Sequence, residues 1–81
     1  MSITLEKQIV SDLIKFKLQY LQERTDSILK KWKEENVDDF VQKVRIGEIP
    51  EAEMDAITVR QLVLDFSRLQ ELLNTVNSEE S

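Results

Sequence analysis

Residues 59–76 read VRQLVLDFSRLQELLNTV, and within them Val59, Leu62, Phe66, Leu69, Leu73 and Val76 recur at alternating steps of three and four with no Gly or Pro between them. That period keeps one apolar stripe aimed at a neighbouring helix. It predicts a helix from about Glu51 to Val76, roughly 39 Å long at about 1.5 Å per residue. The neighbour is the long segment at the start of the chain, a second copy of the chain, or another protein.

The only Gly and the only Pro lie just upstream, at Gly47 and Pro50. Gly47 can take the left-handed conformation that ends a helix, and Pro50 suits a first helical turn, where its missing N–H is no loss. One helix therefore ends here and the next begins. Before that break, Val37, Phe40, Val41 and Val44 show the spacing of a half-buried helix over about 37–46. Asn36 is placed to cap it, and Asp38 and Asp39 fall in its first turn, where the helix dipole favours anions. So short a helix cannot stand alone and is expected to cover one end of the longer pair, with Phe40 near Trp32.

The first helix is expected over about 4–35, on the order of 48 Å. Ile9, Leu13, Phe16 and Tyr20 form one stripe along it. Ile14, Leu18, Leu21, Ile28 and Trp32 form a second, offset stripe, with Thr25 filling its gap. The two together read as a wide apolar face able to touch two neighbours. The polar run Gln22 to Ser27 contains no breaker and reads as a collar on a continuous helix. Residues 77–81 are expected to fray.

Period-two alternation, internal repeats and low complexity are absent, so the chain reads as all-α. The expected fold is one domain over residues 1–81, in which two long helices form an antiparallel hairpin with a short middle helix, completed as a helical bundle by homodimerisation. At 81 residues a single core is marginal, and burial between copies would add to it. Candidate seam or interface residues are Val59, Leu62, Phe66, Leu69, Leu73 and Val76 on the third helix, with Ile9, Leu13, Phe16, Tyr20 and Trp32 on the first.

The chain has no Cys and no His, which removes disulfides and thiolate or imidazole metal ligands and points to a reducing cytoplasm. Glu6, Lys7, Gln8, Ser11 and Asp12 interrupt the apolar residues near the start, unlike a signal peptide. No stretch reaches the roughly 20 apolar residues of a membrane span. Net charge is −5 and unevenly spread: residues 37–58 carry two bases against six acids. That acidic middle favours a basic protein partner over nucleic acid.

Catalytic chemistry has little to use. Ser11, Thr25, Ser27, Thr58 and Ser67 would need a base such as Lys, and they sit in ordinary helical contexts with no strained turn. Glu51 and Asp55, four apart, with Asp38 and Asp39 upstream, and Asp65 further on, are the carboxylates to weigh for a cation. Acids at helix starts are already accounted for by the dipole, so neither metal nor cofactor is expected. Lys30, Lys31 and Lys33 flank Trp32, which raises nucleic-acid binding as the rival function. Acids interleave with these bases, and Trp32 continues an apolar stripe.

Lys31-Trp32, Val37-Asp38-Asp39-Phe40, Val44, the Gly47-Glu48-Ile49-Pro50-Glu51 turn and Leu69-Gln70-Glu71-Leu72-Leu73 together resemble a group of small prokaryotic helical proteins. Some of that group are encoded beside toxin-like proteins and treated as antitoxin-like. The resemblance implies a non-catalytic module that binds and neutralises a basic partner such as a toxin. No residue of this chain matches a particular toxin contact.

Overall fold

The computed structural model describes residues 3–78. Three α-helices follow one another: α1 (Ile3–Lys31), α2 (Val37–Arg45) and α3 (Glu53–Ser78), with a 3-10 turn, Pro50–Ala52, leading into α3. The longest dimension is 54 Å and the two others are 18 and 17 Å, so the molecule is a rod.

α1 and α3 form the expected antiparallel hairpin. Near the start of α1, Ile14 and Leu18 bury against Leu73 of α3, with Phe66, Leu69 and Val76 packed alongside. Near its end, Leu29 buries against Ala52, Ala56 and Val59, and Phe40 of α2 completes that cluster. Trp32, Val37, Val44 and Ile49 pack around it. The rod thus has a two-helix end and a three-helix end. Phe40 and Val59 are fully buried at the latter, where α2 supplies the extra layer.

The collar at residues 22–27 leaves α1 unbroken. Thr25 is buried on the seam, and its hydroxyl donates to the Leu21 carbonyl at 2.9 Å. No buried side-chain polar atom among the described residues lacks a partner.

α1 stops at Lys31 rather than at the expected Glu35. The Lys33 N–H reaches the Lys30 carbonyl at 3.1 Å and the Glu34 N–H reaches the Leu29 carbonyl at 2.9 Å. These are the paired bonds of a Schellman turn, and Lys33 takes the left-handed conformation they need, at φ +57°. α2 ends in the same way: the Gly47 N–H meets the Val44 carbonyl at 3.1 Å and the Glu48 N–H meets the Lys43 carbonyl at 2.9 Å, with Gly47 at φ +85°. One stop uses the residue that physics favours, and the other uses a lysine.

Glu34 anchors the first turn. Its side chain is 8% exposed and both carboxylate oxygens lie 3.0 Å from the Lys43 ammonium. That contact raises the pKa of Lys43. Asn36 is extended at φ −145°, ψ 158°, and its side-chain oxygen accepts from the Asp39 N–H at 2.8 Å, the N-cap expected for α2. The third helix starts as a 3-10 turn at Pro50, ahead of the α-helix at Glu53. Asn77 and Ser78, expected to fray, are helical, and residues 79–81 lie outside the described residues.

The two stops differ in what substitution should do. A left-handed L-residue costs roughly 1 kcal/mol. Lys33→Gly should therefore raise unfolding stability by about 0.5–1 kcal/mol, and Gly47→Ala should lower it by about 1 kcal/mol, with no steric contribution because a Cβ at Gly47 meets nothing within 4 Å. Urea titration of both variants checks the pair.

Candidate protein-binding site

Helical geometry turns the two stripes of α1 to opposite sides. Successive residues advance about 100°, so Phe16 and Leu18 point about 200° apart. The stripe carrying Ile14, Leu18 and Leu21 is buried in the hairpin. Ile9, Leu13, Phe16 and Tyr20 face outward, exposed by 48%, 63%, 74% and 47%. The wide single face expected for the first helix is instead two narrow ones, back to back.

The outer stripe has polar flanks of different character. Lys17 and Arg24 run along one edge, and Asp12, Gln19 and Asp26 along the other. The Gln8 amide donates to Asp12 at 3.0 Å, and the Gln22 amide to Asp26 at 3.0 Å. The Lys17 ammonium stands 4.9 Å from the centroid of the Tyr20 ring. Arg24 donates to the Tyr20 hydroxyl at 3.4 Å, and that hydrogen bond, followed by the guanidinium's charge, lowers the pKa of the phenol. Neither Asp12 nor Lys17 has an ion-pair partner among the described residues.

On α3, Val59, Leu62 and Leu73 are buried, and Phe66, Leu69 and Val76 are partly buried beside the two-helix cluster. Most of the apolar repeat on α3 is thus occupied by α1. Met54, Ile57, Leu64 and Leu72 remain exposed elsewhere on α3. An open groove of about 430 Å³ between α2 and α3 is walled by Val37, Val41, Val63 and Leu64, with Arg45 and Arg60 at its edges.

Trp32 sits at the three-helix end and does structural work there. Its indole N–H donates to the Asp55 carboxylate at 2.8 Å, and the Lys31 ammonium reaches the same oxygen at 2.9 Å while lying 5.3 Å from the indole ring. Lys31 and then Trp32 hold the Asp55 carboxyl below the usual carboxylate range, against a smaller opposing effect of burial. The basic cluster around Trp32 is thereby divided: Lys31 serves Asp55, Lys33 forms the turn through its backbone, and the side chains of Lys30 and Lys33 are both exposed.

The carboxylates weighed for a cation are spread out. Glu51 lies in the 3-10 turn, Asp39 holds Asn36, Asp65 accepts from Gln61 at 3.0 Å, and Asp55 is occupied as described. Among the described residues no three acids gather as metal ligands, and no helix is long and apolar enough to cross a membrane.

Several contributors to the core were not identified in the sequence. Leu29 continues the spacing Leu18, Leu21, Thr25, and its burial was readable from that series. Ala52, in the 3-10 turn, and Ala56, on α3, are buried in the cluster around Phe40, and no apolar periodicity marks residues so small.

Because its folded pKa is depressed, Asp55 contributes stability above the ordinary carboxylate pKa of about 3.9 and loses that contribution as pH falls toward the lower folded value. Asp55→Ala should cost about 1–2 kcal/mol at pH 7. Guanidinium titrations should show the gap between wild type and variant shrinking once pH drops below about 4.

Comparison with protein-family models, curated proteins and solved structures finds no match to this chain.

Proposed function

We propose that the chain is a non-catalytic protein-interaction module whose hairpin holds the outer face of α1 open to a second helix, and that this helix belongs to another copy of the same chain. The observation that carries this reading is the row Ile9, Leu13, Phe16, Tyr20, exposed on a helix whose opposite side already builds the core. Isolated surface apolar residues are ordinary, but four in helical register form a seam. Together they leave on the order of 500 Å² open in each copy, so pairing covers at most about 1,000 Å², near the lower bound for a specific interface.

The opposite end of the rod suggests the finer role. Asp38, Asp39, Glu48, Glu51 and Glu53 are all exposed around α2 and the turn into α3. This acidic tip suits a basic partner protein, which agrees with the antitoxin-like resemblance and with work in a reducing cytoplasm. Nucleic-acid binding through Trp32 lacks comparable support, because the indole is tied to Asp55 and packed against the core.

Sedimentation equilibrium tests the assembly. Wild type should be dimeric at tens of micromolar. Phe16→Asp places a carboxylate in the seam and should weaken association at least about 100-fold, with far-UV circular dichroism unchanged because Phe16 supports no intramolecular core. A monomeric wild type would exclude self-association. For the acidic tip, co-expression with a basic protein encoded beside this chain should yield a stoichiometric complex that Glu48→Lys with Glu51→Lys disrupts, and recovery of no complex counts against that role.

A further inference from the structure

The flanks of the outer stripe carry directional information. We infer that two copies pair through α1 in parallel and in register, with Leu13 against Leu13 and Phe16 against Phe16. This rests on the self-association proposed above and specifies its geometry.

In heptad terms Ile9 and Phe16 occupy d positions, and Leu13 and Tyr20 occupy a positions. Lys17 and Arg24 then fall at e, while Asp12, Gln19 and Asp26 fall at g. In a parallel pair, each g residue meets the e residue five positions further along on the partner. Asp12 meets Lys17 twice by symmetry, and Gln19 meets Arg24 twice. Both members of the ionic pair stand without an ion-pair partner in their own chain among the described residues. Asp12 and Lys17 are five apart on one helix and do not face each other there.

Antiparallel pairing uses the same four apolar layers differently. With Leu13 against Phe16 and Ile9 against Tyr20, the flanking neighbours become Val10 with Lys17 and Asp12 with Gln19. No ion pair forms. Charge complementarity thus selects the parallel arrangement over an antiparallel one of equal apolar content.

The rest of the rod accommodates this pairing. The outer stripe lies about opposite the α3-facing stripe, so each α3 stays on the far side of its own α1 and the four helices form a row. The seam closes after Tyr20, because the next d position is Glu23, where parallel pairing would set identical carboxylates together. Parallel pairing also brings both acidic tips to the same end of the dimer.

Charge reversal and cross-linking test the arrangement in the full-length chain. Asp12→Lys and Lys17→Glu should each raise the dimer dissociation constant about tenfold at low salt, and a one-to-one mixture of the two should recover wild-type affinity, because every reversed charge then meets its opposite. The chain contains no cysteine, so Leu13→Cys introduces a unique thiol. In a glutathione redox buffer it should form a disulfide-linked dimer on its own. If Leu13→Cys cross-links only when mixed with Phe16→Cys, and the charge variants associate like wild type, the pairing is antiparallel and the inference fails while self-association stands. If wild type remains monomeric at about 100 µM, the reading beneath it fails as well.

Discussion

Two helices packed side by side can each bury only the stripe that faces the other, and nearly everything else about this rod follows from that constraint. α3 spends its regular repeat on α1. α1 has two repeats and only one α3, so one stripe is left in water along the first half of the helix. At the other end α2 lies over the hairpin and closes a compact cluster around Phe40 and Val59. The asymmetry between a covered end and an uncovered end comes directly from having nine residues of α2 where a full third helix would be needed.

The covered end is held by polar contacts as well as by burial. Asp55 at the start of α3 receives both the Trp32 indole and the Lys31 ammonium from the end of α1. Glu34, just past that end, receives Lys43 from α2. Each contact crosses a chain reversal, so the turns are fixed relative to the helices that they join. The consequence is that all three helices are tied together at one end, from which the open half of α1 projects alongside α3.

Much of this was legible in the residues. The three-four repeat identified the hairpin, and Asn36, Gly47 and Pro50 marked the reversals because side-chain capping, left-handed backbone and a fixed φ each belong to few residue types. The first helix was drawn four residues too long because its stop is a lysine, which carries no preference for the left-handed region. Tertiary contacts at Trp32 and Glu34 impose that conformation, and neither contact leaves a trace in local sequence. Ala52 and Ala56 were missed because hydrophobic patterning does not flag residues so small, although both are buried in the cluster with Phe40. The opposed orientation of the α1 stripes was within reach of arithmetic at about 100° per residue, and reading them as one broad face concealed it.

Placing the outer stripe back to back with the core also separates two kinds of inheritance. Side chains at Leu13 and Phe16 can change without opening a cavity or stranding a buried polar group, since both stand mostly in solvent. Selection can therefore act on the exposed side of this helix while leaving how it folds untouched. Related sequences would be expected to keep Leu18, Phe40 and Val59, which the fold needs, whereas the fold sets no such demand on the outer positions. One side of a single helix can thus be rewritten by a few substitutions without disturbing the side that packs.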